Sequence, residues 1–551
     1  MAPVVRVAAA QFSVGTDPEE NLATVLAALD RAAEHRPDVV VLPEFCNHLS
    51  IYDDGEHAWT VAVELDGPFV DAVRARAADI GAWVQLNCTV RRPGPSTSRE
   101  PAPGRITNTN IVISPAGEIA AANDKTVLMG AEGDFLSAAD EPAVLVRTPF
   151  GTIGTYACMD GVVPEVPRSV SLRGADLLLN SLNSFALDEA TLHVPVRAAE
   201  NRSWVVACCK VGPLLPADRV AAFSAAMNVP ADALHGAGES QVVAPDGTVV
   251  AIGPRAGDAV VVADIDLGDH GRPRPDGTDL RAARRPELYG ALARATPPLD
   301  EHPRSDAVAV AAVTDLTAAA GALHAGASLV VVPELSTTEE DLVRVARDHA
   351  GPGAVLVGSV RDGDAHTGLV AGADGVLARQ VQLHPVARHC DWQARLGDGV
   401  VPVDLPWGRL AVLVGDDAAY PEVARLAALA GCDVLAVPLA AQEAWECDLG
   451  LVERSAENRV CLVAADAGPV GTSMVVTLPP DFTLWAPSRE RTFDGTINQP
   501  EVTRADIAAG TGVRGTILPA RAVNRQISKG TNLVDGRPWR LFAALASDLG
   551  G

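Results

Sequence analysis

The chain has 551 residues, 48% of them hydrophobic, enough for two or more domains with large cores. Its formal net charge of −26 argues against nucleic acid or an anionic membrane as a partner. No apolar run is long enough to span a membrane, the N-terminus lacks a basic-then-apolar leader, and the nine cysteines show no CxxC or Cys/His zinc spacing. The expectation is therefore a cytoplasmic protein with reduced thiols. The only lysines are Lys125, Lys210 and Lys529; every other strong base is arginine. Lysine is a compact charge whose pKa moves readily on burial, so it can serve where the planar arginine fork cannot.

In chain order, Val4–Phe12 reads as a buried strand, and Asp17 with Pro18 opens a helix that runs to about Glu34. Pro37–Pro43 reads as a second buried strand, ending at Glu44. Pro68–Ile80 is helical, Ala82–Val90 a strand and Pro93–Pro103 a polar loop. Asn108–Ser114 and Glu118–Ala122 flank a hairpin turn at Pro115-Ala-Gly117. Lys125 follows, then a loop holding Glu132 and a strand that ends at Ala157. Asp176–Asn180 is a strand, His193–Arg202 a helix, Trp204–Lys210 a strand, Glu239–Ile252 a hairpin and Ala259–Ile265 a final strand. Strands alternating with helices predict α/β layers, and the hairpins make the sheets mixed.

Thr296–Ser305 is proline-rich and polar and reads as a linker, after which the pattern starts again. Val308-Ala-Val-Ala-Ala repeats Val5-Arg-Val-Ala-Ala, and Val331-Val-Pro-Glu334 repeats Val41-Leu-Pro-Glu44. From the middle of each half a single offset of 257 holds: Pro149 maps to Pro406, Glu165 to Glu422, Arg168 to Arg425, and Arg197–Arg202 to Arg454–Arg459. The reading is two copies of one domain, at residues 1–297 and 306–551. The same offset sets Cys158 on Gly415, Lys125 on Gln382 and Glu132 on His389, so the second copy reads as degenerate and inactive. His384, His389 and Cys390 lie near Asp416 and Asp417 without firm ligand spacing, and no metal is expected.

The first half is organised around Tyr156-Ala-Cys-Met-Asp-Gly161, between a buried strand and a helix closed by Gly174. A cysteine at such an elbow has its sulfur beside backbone N–H groups that can receive negative charge, a good place for a thiolate nucleophile. The bland alternative is a small buried hydrophobe. Glu44, ending a wholly apolar strand, is either a shielded carboxylate of raised pKa or a solvated strand end. Lys125 and Glu132 have corresponding readings as surface or loop charges.

These pieces in this order resemble the nitrilase superfamily of carbon–nitrogen hydrolases: Leu42-Pro-Glu44, Asn108 with Pro115-Ala-Gly117, Lys125, Glu132-Gly-Asp-Phe135, Cys158-Met-Asp-Gly-Val-Val-Pro-Glu165, Arg197-Ala-Ala-Glu-Asn201 and Arg285-Pro-Glu-Leu-Tyr289. The resemblance implies tandem αββα sandwiches whose post-cysteine helix and Arg-x-Ala-Glu-Asn helix face a neighbouring unit, so that one chain forms an intramolecular pseudo-dimer. Further homo-oligomerisation is left open. It also implies Cys158 as nucleophile, Glu44 as proton carrier, Lys125 as oxyanion donor with the Met159 N–H, and Glu132 as the residue orienting Lys125 and substrate. Met159, Asp160 and Gly161 are the substrate-binding candidates, Asp160 also fixing the elbow. No cofactor is required. The motif looks most like aliphatic amidases, and apolar Val162 and Val163 disfavour a carboxylate clamp there. The expected activity is hydrolysis of a small amide through a thioester. Acyl transfer, nitrile or N-carbamoyl hydrolysis, and a non-catalytic binding role are the alternatives.

Overall fold

The computed structural model describes residues 4–92, 104–481, 483–485, 490–505 and 512–547. The polar loop expected at Pro93–Pro103 lies outside them. The first half runs β1 (Val4–Gln11), α1 (Pro18–Ala33), β2 (Val39–Val41), α2 (Gly55–Val61), α3 (Pro68–Ile80), β3 (Trp83–Arg92), β4 (Arg105–Ile113), β5 (Ile119–Asp124), β6 (Val146–Thr148) and β7 (Gly151–Ala157). It continues through α4 (Glu165–Leu172), β8 (Leu177–Leu182), α5 (Val194–Asn201), β9 (Trp204–Cys209), β10 (Val211–Pro213), α6 (Val220–Met227), β11 (His235–Ala237), β12 (Gln241–Val243), β13 (Val249–Ile252) and β14 (Ala259–Asp266). Helices α2 and α6 and the small β10–β11 pair were not expected; they are short elements placed by contacts rather than by a strong local period.

Two six-stranded mixed sheets, ordered β14-β1-β2-β3-β4-β5 and β13-β12-β9-β8-β7-β6, pack face to face. Alternation along β1 explains the layering. Val5, Val7 and Ala9 face the other sheet with Val39, Val41, Leu177 and Val206. Ala8 and Ala10 face Val25 and Leu29 of α1 and Val73 of α3. Asp17 caps α1 by accepting from the N–H groups of Glu19 and Glu20.

The second half repeats this plan. Its elements are β15 (Val308–Ala312), α7 (Leu316–His324), β16 (Leu329–Val331), α8 (Glu339–His349), β17 (Val355–Asp362), β18 (Ala365–Gly372), β19 (Gly375–Val381), β20 (Val403–Leu405), β21 (Gly408–Val412) and α9 (Pro421–Leu429). Then come β22 (Val434–Leu439), α10 (Leu451–Asn458), β23 (Cys461–Asp466), β24 (Met474–Thr477), β25 (Glu501–Arg504), β26 (Val513–Ile517), β27 (Gln526–Ser528) and β28 (Thr531–Asn532). Its large sheets are ordered β26-β15-β16-β17-β18-β19 and β25-β24-β23-β22-β21-β20, matching the first half strand for strand. The fold is thus two tandem αββα units. The Thr296–Ser305 segment carries no helix or strand, yet it is anchored: His302 and Arg304 both reach Asp433, at 2.5 and 2.7 Å. Among the described residues no helix is long and apolar enough to cross a membrane.

Helices α4 and α5 pack on α9 and α10, and charged pairs cross the seam reciprocally. Arg168 pairs with Glu422 and Arg425 with Glu165, each at 2.8 Å. Arg197 pairs with Glu457 at 2.8 Å and Arg454 with Glu200. Residue i meeting j while j′ meets i′ is the signature of a two-fold contact. Val423 and Leu429 lie in cores shared by the two halves, with Leu426 packed alongside. Arg202, left-handed at the end of α5, crosses to Glu443 of the second half.

Two arms also cross. Residues 267–294 carry Arg274 to Asp416, Arg284 to Glu422 and Tyr289 to His384. Residues 526–546 bring Ile527, Leu533, Phe542 and Leu545 into the core beneath α4 and α5.

Arg197 is buried, and it holds carbonyls of its own half as well as carboxylates of the other. Truncating one partner of a buried pair typically costs about 3–5 kcal/mol, because the remaining charge is left unpaired. Arg197→Ala should therefore lower unfolding free energy by that order in chemical denaturation; a change under about 1 kcal/mol, the scale of a surface pair, would show the cluster is not needed.

Candidate active site

Glu44 follows β2, where its N–H donates to the Leu182 carbonyl of β8 at 3.3 Å and so bridges the two sheets. The carboxylate is fully buried. Its Oε1 accepts from Asn108 Nδ2 at 2.7 Å and from Lys125 Nζ at 2.9 Å, while Oε2 has no hydrogen-bond partner. Asn108 is held by Asn87 Nδ2 at 2.6 Å, and Asn87 Oδ1 accepts the Phe45 N–H at 2.8 Å, so β3 and β4 fix the carboxylate from both sides. Lys125 Nζ also donates to both oxygens of Glu132, at 2.9 and 2.8 Å. Burial works to lower the Lys125 pKa, but Glu132 and Glu44 overcome it and hold the ammonium well above its ordinary value. Burial raises Glu132, against the opposing pull of Lys125. Glu44, Lys125 and Glu132 are thus brought together as one charge cluster.

Cys158 directly follows β7 at φ +47, a left-handed conformation that costs a non-glycine residue roughly 1–3 kcal/mol. Three side chains over-determine it. Its N–H donates to Asn180 Oδ1 at 3.1 Å. Asp160 accepts the N–H groups of Thr126, Val127 and Ala157 at 3.0, 2.7 and 3.1 Å. Arg197 Nε donates to the Gly161 carbonyl at 2.7 Å. Burial raises the Cys158 thiol well above its ordinary pKa, with Glu44 adding and Lys125 opposing. The Cys158 N–H is spent on Asn180, so it is not free to receive charge that develops on the sulfur.

A cavity of about 220 Å3 opens on Cys158 and Glu132. Met159 lines it, but Asp160 and Gly161 do not. Those two substrate-binding assignments are corrected, since the Asp160 carboxylate and Gly161 carbonyl face backbone and Arg197 instead. The sequence reading missed the far wall. Leu484, Trp485, Ile497, Asn498, Ile527 and Ser528 of the second half complete the cavity. Their arm is latched to the Glu132 loop: Thr531 Oγ1 accepts the Gly130 N–H at 3.0 Å, and Lys529 pairs with Asp134 at 3.1 Å. The reading also left Lys210 without a place. It is buried near the Phe45 ring, as Lys125 is, the Lys210 and Lys125 ammonium nitrogens lying 5.8 and 5.9 Å from the ring centroid. Burial lowers Lys210 to about 8. The rarity of lysine was the one available signal for it.

The second half keeps the elbow and fills the space. Gly415 has φ +54, close to Cys158, but an added Cβ would collide with Glu334 Oε2. Arg388 pairs with Glu334 at 2.8 Å and with Asp416 at 2.5 Å, and Arg274 arrives from the first half onto Asp416 and Glu446. Gln382, at the Lys125 position, accepts from His366 Nδ1 and Gln393. His384 is taken by Asp417 and Tyr289, His389 packs on His366 and Trp392, and Cys390 is exposed. These side chains do not converge on one point.

Residues 6–274 match the family model described as carbon-nitrogen hydrolase. Over that half the chain belongs to this family, the nitrilase superfamily. It is similar to the nitrilase and fragile histidine triad fusion protein NitFhit of Caenorhabditis elegans, 26% identical over 219 residues covering 37% of this chain and 48% of that protein. The match thus spans about half the length of that relative. It is 28% identical to Hydrolase C26A3.11 of Schizosaccharomyces pombe over 275 residues, covering 47% of this chain and 76% of that protein. A solved amidase from Nesterenkonia sp. is similar at 22% identity and TM-score 0.42, covering 52% of this chain and 95% of that one.

Because Glu334 and Arg388 already occupy the second site, the double variant Gly415→Cys, Gln382→Lys should gain no thiol reactivity or turnover at residue 415. Labelling of that cysteine by iodoacetamide in a Cys158→Ala background, read by peptide mass, checks this; rapid labelling would show the space is open.

Proposed function

We propose that the first half hydrolyses the carbon–nitrogen bond of a small amide through a thioester on Cys158. The observation that carries this is the state of Glu44: one carboxylate oxygen is fixed by Lys125 and Asn108, and the other is buried without a partner. As sulfur attacks the amide carbonyl, Glu44 Oε2 takes the thiol proton. The oxyanion that forms is met by the Lys125 ammonium and the Met159 N–H. Collapse expels the amine, which takes the proton back from Glu44 and leaves the acyl group on sulfur. Water then donates a proton to Glu44 and attacks the thioester, and acid and thiol are released. Glu132 holds Lys125 in place.

In the same proposal the second half is an inactive partner that stands where a second subunit would. It braces the elbow through Arg197 and walls the cavity through its arm. A displacement of about 1 Å at a reacting group can cost a hundredfold in rate, so such bracing has a use.

Cys158→Ala should abolish ammonia release from amides while leaving the melting temperature within a few degrees of wild type. Lys125→Arg should lose about a hundredfold or more in kcat/KM despite keeping its charge, because the larger fork does not fit between Glu44 and Glu132. An arginine variant within a fewfold of wild type would remove Lys125 from the mechanism. Residues 1–300 expressed alone should aggregate or self-associate and lose activity. A monomeric, fully active fragment on light scattering and ammonia assay would end the partner reading.

A further inference from the structure

The cavity wall has a chemical composition that narrows the substrate. Its size is the first constraint. An apolar cavity of about 150 Å3 is enough for benzene. At about 220 Å3 this one holds an aryl-sized group together with a carboxamide. The distal surface is made by Phe185, Phe223, Leu215 and Met227 of the first half and by Leu484 and Trp485 of the second. Phe223 and Trp485 meet edge to face with centroids 5.3 Å apart, which fixes the indole. A small acyl group would leave this surface unfilled.

Charge is the second constraint. Among the described residues the lining contains no arginine or lysine but does contain Glu132, Asp188 and Glu189. Glu132 is satisfied by Lys125 and the Met129 N–H. Asp188 accepts the N–H groups of Ile497 and Asn498 at 3.0 and 2.7 Å. His193, also on the wall, is taken by Glu453 at 2.9 Å. Glu189 is different. It is 93% buried on the cavity wall (7% exposed), and its Oε2 has no hydrogen-bond partner. Asn183 Oδ1 on the same wall is likewise unpartnered. A buried acceptor without a donor is costly to leave unmade, so the missing group is a donor, and a cationic one suits a carboxylate best. Glu189 and Cys158 line the same cavity, so a donor that meets Glu189 belongs to a molecule that also reaches the thiol.

Resting on the amidase reading above, we propose that the substrate is the amide of an amino acid with a large apolar side chain. Glu189 receives its ammonium group, and Trp485, supplied by the second half, forms the side-chain subsite. Acyl groups that end in a carboxylate are disfavoured, because Asp188 and Glu189 on the described wall would repel them and the His193 ring is already paired with Glu453.

The test uses the full chain. Phenylalaninamide, 3-phenylpropanamide, alaninamide, propanamide and glutaramate are compared by ammonia release, and the same five by calorimetric binding to Cys158→Ala. The expected order places phenylalaninamide about tenfold or more above 3-phenylpropanamide, as for a hydrogen bond to a charged group. It should stand about a hundredfold above alaninamide, as for loss of several apolar atoms from a fitted pocket. Glutaramate should be worst. In Glu189→Gln the ratio of phenylalaninamide to 3-phenylpropanamide should collapse toward one. In Trp485→Ala, with Trp485→Leu as the milder change, the ratio of phenylalaninamide to alaninamide should fall at least about tenfold. Equal use of propanamide and phenylalaninamide, or ratios unmoved in folded variants, would overturn the proposal while leaving the amidase reading standing. Ordered binding to Cys158→Ala without turnover of any amide by wild type would uphold the subsite and overturn the chemistry.

Discussion

Arg197 is the contact on which the two halves and the reactive elbow all depend. One edge of its guanidinium donates to the Gly161 and Val162 carbonyls just past Cys158. The other edge meets Glu200 of its own helix and Glu453 and Glu457 of the second half. All of this is buried. Desolvating so many charges is expensive, and their mutual attraction roughly offsets that cost only while every partner is present. The cluster is therefore weak as a source of net stability and strong as a device for keeping the halves together. The five donors of arginine, set in a rigid fork, are what allow one side chain to serve carbonyls and carboxylates at once.

The tandem architecture makes the two copies unequal partners. Each sends an arm across the other's site. The arm from the first half delivers Arg274 onto Asp416 and helps to fill the space beside Gly415. The arm from the second half delivers Ile527 and Ser528 to the rim of an open cavity beside Cys158. The same backbone elbow thus serves in one copy as the seat of a thiol and in the other as part of a closed ion cluster. A chain that carries both copies need not use identical arms, as two copies of a shorter chain would. That freedom is what lets Trp485 and its neighbours shape a cavity whose chemistry belongs to the first half.

Much of this protein was legible along the sequence. Short apolar runs gave β1, β3, β8 and β9, caps and prolines gave α1 and α3, and the 257-residue offset exposed the repeat down to Arg197 and Arg454. Glu44, Lys125, Glu132 and Cys158 could be chosen as candidates because residue type, strand ends and a family resemblance are local properties. Helices α2 and α6 were not legible, because such short segments take their stability from what they pack on.

What only the tertiary structure decided depends on groups distant in the chain. The upward push on the Cys158 thiol pKa comes from burial and from Glu44, far earlier in the chain. Asp160 and Gly161 turn away from the cavity because backbone donors of Thr126 and Val127, and the Arg197 side chain, claim them first. The cavity wall at Trp485 and Ser528, the latch at Lys529 and the unmet oxygen of Glu189 have no local signature at all. Sequence fixes which side chains are available and which local conformations are cheap. Desolvation and hydrogen-bond satisfaction depend on everything within a few ångströms, and that neighbourhood exists only once both halves are folded against each other.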